Sequence, residues 1–559
     1  MTSRSLLTRR RTRVAMAIGV AVAVAGAGTA AAQGAGWLSP SHDFRANADT
    51  YSTHGSSTLT GDVLRNDSGA TAVVRHSAPS HGALTIGADG SFSYKPQAGF
   101  RGTDTFTYTT TDAVELFKDT TAKGTPLAPL AQVKGPNGTT TQLSGEGYGS
   151  SLTPVPHRPG YFYGLTDRGP NADAPDGNKS EMLLGFTPQI GEFKLVDGKA
   201  ELVKQVTLKG PKSLGGVKYS GLPPHDTAEV IDDVDRTNAN GGTPVPVARD
   251  AYGYDSEGLV ALPDGSFWVS DEYGPYITHF DANGYELGRL TPYRNSVDNA
   301  KHKILGYLPA ELANRATNKG MEGLTVSPDG RTLVGIMQSA LQQPDLGSTK
   351  AKNVAPTRIV TVDLRTFATK QYLYLLDDPA DTGNANSEIT ALSGTKFLVD
   401  ERDGNYQPFA KKTLYTVDVN GATDVSGLTI GGKSPEAFVG KDGTNDALAA
   451  LTAAGVNVAQ KQQTLDVGTL VSQLDPTGGF FAHDKVEGVA TSDGGRTLYL
   501  SNDDDFGIDT IAVDPDGTWT VHQKVLPSTG AEDSGEILKV DTTKLPAVLK
   551  TVTVTITVR

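Results

Sequence analysis

Asp255-Ser256-Glu257-Gly258-Leu259-Val260-Ala261-Leu262 runs into the turn Pro263-Asp264-Gly265 and then into Phe267-Trp268-Val269-Ser270-Asp271-Glu272. Two short apolar runs flank a hairpin turn, and carboxylates stand at both outer ends. The phrase returns as Met321-Glu322-Gly323-Leu324-Thr325-Val326, Pro328-Asp329-Gly330 and Leu333-Val334-Gly335-Ile336-Met337-Gln338. A third copy pairs Ser387-Glu388-Ile389-Thr390-Ala391-Leu392 with Phe397-Leu398-Val399-Asp400-Glu401-Arg402-Asp403. A fourth pairs Val486-Glu487-Gly488-Val489-Ala490 with Leu498-Tyr499-Leu500-Ser501-Asn502-Asp503-Asp504-Asp505. A weaker copy opens the series at Gly145-Glu146-Gly147 and ends at Asp167-Arg168-Gly169-Pro170. The clear copies repeat at Glu-to-Glu intervals of 65, 66 and 99 residues. Units of this size, each with several short strands, predict the blades of an all-β propeller with inserted loops, and we expect six of them over residues 125–545. The one helical stretch expected lies in an insertion between 435 and 480.

An antiparallel hairpin brings its chain back to the level where it began, so both acids of each copy belong to one end of the blade. Repeated around a ring, the pattern gathers Glu146, Glu257, Glu322, Glu388 and Glu487 with Asp167, Asp271, Glu272, Asp403, Asp503 and Asp504 on one rim. Carboxylates so close together repel and need protons or a cation. Hard oxygen donors point to calcium, and the absence of an H-E-x-x-H motif argues against zinc. The candidate ligands or bases are Glu257, Asp271, Glu272, Glu322, Glu388, Asp403, Glu487 and Asp503. Arg168, Arg402, Lys319 and Lys485 lie among them as salt-bridge partners or oxyanion clamps. His483 is a candidate proton donor, with an inert surface imidazole as the ordinary alternative.

The chain has 559 residues and a formal net charge of −13. Residues 1–32 carry five arginines and no acid, then an apolar stretch and a small-residue end, the pattern of an export signal. Removing them takes the net charge to −18, which repels nucleic acid and anionic lipid. No later run is long enough to cross a bilayer, so a secreted, extracellular product without membrane insertion is expected. The chain has no cysteine, which excludes thiol catalysis, cysteine-zinc sites and disulfides. Gly427-Leu428-Thr429-Ile430-Gly431-Gly432-Lys433-Ser434 matches a nucleotide-binding loop letter for letter, but Pro435 follows with no apolar helix, and we read it as a decoy. The oxygen-rich loop 167–181 misses the register of an EF-hand.

Residues 43–113 alternate short strands with Gly-, Pro- and Asp-rich turns, which predicts a small β-sandwich. Asp62-Val63-Leu64-Arg65-Asn66-Asp67, His81-Gly82-Ala83-Leu84, Asp89-Gly90-Ser91-Phe92-Ser93-Tyr94 and Gly102-Thr103-Asp104-Thr105-Phe106 resemble the bacterial cadherin-like, immunoglobulin-type module. That resemblance implies a spacer or adhesive unit contacting the cell surface or wall. The propeller phrases resemble the phytase-like family, also described as having an esterase-like activity of phytase. The resemblance rests on Asp255-Ser256-Glu257-Gly258, Trp268-Val269-Ser270-Asp271-Glu272-Tyr273-Gly274-Pro275, Met321-Glu322-Gly323-Leu324, Glu401-Arg402-Asp403, Lys485-Val486-Glu487-Gly488 and Asn502-Asp503-Asp504. It implies calcium-dependent hydrolysis of a small phosphorylated substrate. Two other readings stay open: a non-catalytic extracellular binding or adhesion propeller, and a metal-dependent lactonase-type hydrolase. The segment 546–559 is expected to be a separate C-terminal strand.

Overall fold

Each of the four clear copies of the repeat forms the two innermost strands of a blade in the computed structural model, which describes residues 44–134 and 140–559. The weaker first copy has its inner strand at Ser151–Pro154, after Gly145-Glu146-Gly147. The leader expected over 1–32 lies outside the described residues. The inner strands Ser151–Pro154, Ser256–Ala261, Met321–Val326, Ala385–Ala391 and Val486–Ala490 lie side by side in cyclic order, the last closing on the first. The all-β propeller is therefore present, with five blades among the described residues where the spacing led to six. The 99-residue interval between Glu388 and Glu487 holds no further blade. It is filled by the outer strands of the fourth blade, Lys412–Asp418 and Gln460–Asp466, and by the helices Pro435–Val439, Thr444–Ala453 and Val467–Leu474.

Strand periodicity shows why these segments read as nearly continuous apolar runs. Phe267 and Val269 pack toward the first blade, with Leu165, Ile190 and Leu259. Trp268 and Val260, on the opposite face, pack toward the third blade with Leu324 and Leu333. Successive side chains of a strand point to opposite faces, and a blade buried on both faces needs apolar residues on both. Similar clusters fill the other three blade interfaces. Each large side chain buried there contributes about 1.5–3 kcal/mol.

Two strands from outside the repeat close the architecture. Val114–Thr121 pairs antiparallel with Glu536–Asp541 as the outer strand of the fifth blade, and parallel with Lys199–Thr207 of the first. The propeller thus begins before the boundary expected at 125. Lys550–Val558 does not stand alone: it inserts between Asp49–Thr53 and Gly102–Thr111 in the immunoglobulin-type sandwich. There Val554, Ile556 and Val558 join Val63, Phe92, Tyr94, Phe106 and Tyr108 in the sandwich core. The chain enters the propeller from the sandwich and returns to it, and Asp43–Arg559 form one compact unit.

Candidate metal and active site at the propeller mouth

The recurrent Glu-Gly has a backbone cause. In the second blade Ser256 pairs with Asp271 and Leu259 with Val269, so Glu257 and Gly258 together oppose Ser270. The third and fifth blades carry the same bulge at Glu322 and Glu487. A bulge breaks the alternation and re-aims one side chain, here a glutamate. The following glycine lets the next blade approach: a Cβ on Gly258 would stand 2.4 Å from Leu324 N, and one on Gly323 2.4 Å from Ile389 N. In the fourth blade the bulge falls on Ser387, so Glu388 occupies the glycine position of its neighbours.

Three carboxylates converge most closely. Asp255, Glu257 and Glu272 each place one oxygen within 4.8 Å of the others. Asp255 is 1% exposed and Glu272 3%. Glu272 Oε1 is buried without a hydrogen-bond donor, and Asp255 Oδ2 has only the ionic contact with Arg168 Nη1 at 3.2 Å. Burial holds the Glu257 carboxyl well above the ordinary range, and repulsion from Glu322, Asp255, Glu487 and Glu272 adds to it. Glu322 is raised likewise by burial, Glu272 and Glu487, with Arg402 and Lys319 opposing. Asp167 joins through Asp503 and Asp255, after burial the main causes of its own upward shift. Side chains from four blades thus share one electrostatic cluster, placed by the inner strands and by the residues just beyond their ends.

Cations are built into the same cluster. Arg168 Nη1 donates to Glu229 at 2.9 Å, and its guanidinium lies 5.2 Å from the Tyr273 ring centroid. Arg402 donates to Ser387 Oγ at 2.8 Å and pairs with Glu487 across the blade interface. Lys485 pairs with Asp503 at 3.3 Å and with Asp505. Lys319 has no ion pair at contact distance among the described residues; burial lowers its pKa, while Glu272 and Glu322 pull it back up. Asp503 is pushed up to about 7 by burial and Asp505, against Lys485.

The remaining predicted residues stand elsewhere. Asp271 accepts from Asp255 N at 2.7 Å and Gly274 N at 2.6 Å, bracing the loop that carries Glu272. Asp403 is held by Lys412 Nζ at 2.7 Å and by Asn405, outside the cluster. Glu388 lines the narrow axial channel, where it accepts from Ser151 Oγ, Leu324 N and Ile389 N. His483 is buried rather than at the surface, between Asp533 at 2.5 Å and Glu536 at 3.2 Å. Glu146 accepts from Gly535 N at 3.1 Å beside Asp119, away from the mouth. Asp255 was missed as a ligand because it precedes the bulge by two positions; its place directly before Ser256-Glu257-Gly258 was the available signal. The loop Gly427–Ser434 holds a carboxylate of its own chain: Ser434 N and Oγ both donate to Asp345 at 2.7 Å.

Residues 42–125 match a bacterial Ig domain. An uncharacterized secreted protein of Arthroderma benhamiae is 30% identical over 218 residues, which cover 34% of this chain and 41% of that protein. The chain thus spans about two fifths of the length of the curated relative it matches. Among solved structures, it is similar to the PQQ-bound aldose sugar dehydrogenase of Streptomyces coelicolor at 10% identity and a TM-score of 0.28, covering 89% of this chain and 100% of that one. It is also similar to regucalcin, a calcium-binding protein of Agrobacterium tumefaciens, at 11% identity and a TM-score of 0.25, covering 89% and 97%. Residues 146–506, well over half of the chain and all of the mouth, match the model described as esterase-like activity of phytase, and the chain belongs to that phytase-like family.

Proposed function

We propose that the protein is a secreted, calcium-dependent hydrolase of phosphoric esters acting at the propeller mouth. The observation that carries this reading is the Asp255, Glu257 and Glu272 triad, in which Glu272 Oε1 is buried without a donor and Asp255 Oδ2 meets only Arg168, set beside the unpaired Lys319. Its donors are all hard oxygens with no sulfur or imidazole among them, the set that suits calcium. Bound there, calcium would offset the carboxylate charge, hold phosphoryl oxygens and lower the pKa of an attacking water. Asp255, Glu257 and Glu272 are the residues to hold it. Lys319 faces Glu272 and Glu322 and supplies the positive charge that a phosphoryl oxygen needs. Arg402, fixed by Ser387 and Glu487, supplies a second donor in rigid geometry. Glu322, at the centre of the cluster, is the group placed to take a proton from water once nearby positive charge favours its ionised form. Secretion is supported by the leader pattern and by the name of the fungal relative.

Turnover of a phosphomonoester by the full chain tests the reading. Activity should vanish in chelator and return with calcium, and Glu322→Gln should lower kcat/KM by about 100-fold or more. Activity unaffected by chelator, or hydrolysis of lactones with none of phosphoesters, would overturn it.

A further inference from the structure

Beside the mouth, between the loop 403–411 and the turn at 475–478, lies a groove of about 390 Å³. Its wall is apolar and flat-faced: Tyr406, Pro408, Phe409, Pro476 and Pro527. Phe409 is 81% exposed, the most exposed large hydrophobic side chain among the described residues. One exposed ring alone is ordinary, but here it stands in a concave wall with Tyr406, Pro408, Pro476 and Pro527, and a concave apolar wall is the form of a small-molecule subsite. The only charged residue of the wall, Asp475, spends its carboxylate on Thr477 N at 3.0 Å, Thr477 Oγ1 at 2.7 Å and Gly479 N at 2.8 Å.

The groove is preformed, on a loop that leaves the mouth. Its loop follows Arg402 directly, and Lys412 pins both ends by bonding Asp403 and the Asn405 carbonyl. Ser472 Oγ donates to Gln407 Oε1 at 2.7 Å, and Ser528 to the Gly478 carbonyl. Tyr406 lies in the field of Asp484, Lys524 and Asp533, and Lys524 pairs with Asp505, the partner of Lys485. Charge at the mouth is meanwhile nearly used up. Arg168 and Lys485 are each committed to a carboxylate, which leaves Lys319 and the remaining N–H groups of Arg402 to meet the one phosphoryl group. Several dianionic groups on one substrate would find no partners there.

We infer that the groove is the subsite for the alcohol part of the substrate, and that it selects phosphate monoesters of an alcohol bearing an uncharged ring. This rests on the phosphoester reading of the mouth. Phe409 and the prolines offer faces for a flat ring, while the single phosphoryl group enters the mouth.

Benzyl phosphate and ethyl phosphate test this, because both release a primary alcohol and differ in the ring. The full chain should favour benzyl phosphate in kcat/KM by on the order of 10–100-fold. Phe409→Ala should bring that ratio down about tenfold and Phe409→Trp should keep it. Binding of benzylphosphonate against ethylphosphonate, followed by ligand-observed NMR, reads the groove without turnover. If neither ester is hydrolysed but benzylphosphonate binds better and Phe409→Ala abolishes the preference, the groove stands and the phosphoester reading fails. A ratio near one in the wild type, or a ratio and a binding preference untouched by Phe409→Ala, overturns the inference.

Discussion

Ser151 Oγ donates a 2.6 Å hydrogen bond to Glu388 Oε2 across the axial channel, tying the first blade to the fourth. The two inner strands are not neighbours in the ring, so this bond spans the axis. Glu388 also accepts from Leu324 N and Ile389 N, and burial holds its carboxyl well above the ordinary range. A neutral carboxyl with several donors is a linchpin of packing. Glu388→Ala leaves those donors unmet, and a stability loss of about 2–4 kcal/mol is expected from denaturant unfolding. Glu388→Gln keeps an acceptor in place, and most of the stability should remain.

Close approach of the inner strands gives a second expectation. A Cβ on Gly258 would lie 2.4 Å from Leu324 N and 2.7 Å from the Glu322 carbonyl oxygen, both backbone atoms that cannot step aside. Gly258→Ala should destabilise by about 1–3 kcal/mol or more, the usual range for overpacking. Gly394→Ala, with nothing within 4 Å of its added carbon, should be close to neutral in the same unfolding measurement.

His483 sets a pH dependence. Burial disfavours its charged form, yet Asp533 and Glu536 push its pKa up to about 9 from 6.5. A group whose pKa is higher in the folded state stabilises fully below its unfolded value and loses that contribution as pH rises through the folded one. Stability should therefore decline between about pH 6.5 and 9, by roughly 3 kcal/mol at most. His483→Asn should flatten that slope; a melting temperature with the same pH dependence in both proteins would exclude the buried ion pair.

The last strand ties the two modules together. Deleting 546–559 removes Val554, Ile556 and Val558 from the sandwich core and strips Gly102–Thr111 of a partner along its length. Hydrogen exchange should then show the sandwich opening while the blades furthest from it, the second and third, keep their protection. Equal loss of protection everywhere would mean that the sandwich and the propeller unfold as one cooperative body.

Much of this was legible in the chain because the blade repeat couples local turn chemistry to a recurring acid. Glu257, Glu322 and Glu487 were found by their glycines, and those glycines are needed where the next blade crosses. Glu388 was aligned with them one position off, since Ser387 takes the bulge in that blade and a serine there carries no signal. The blade count went wrong because insertions lengthen one interval, while the closing strand Val114–Thr121 lies outside the repeat, next to the sandwich. His483 looked like a surface residue because its partners, Asp533 and Glu536, are fifty residues away in sequence. Pairings of that kind leave no local periodicity to detect.

Calorimetric titration of calcium into chelator-stripped protein tests the central claim most directly. The Glu257, Asp255 and Glu322 carboxyls are all held above their ordinary range, so a cation that binds among them must expel protons. The account predicts saturable binding with an enthalpy that changes with the ionisation heat of the buffer, weakened at least tenfold in Glu257→Gln and in Glu272→Gln. Binding of equal strength in both variants, or none in the wild type, would contradict it.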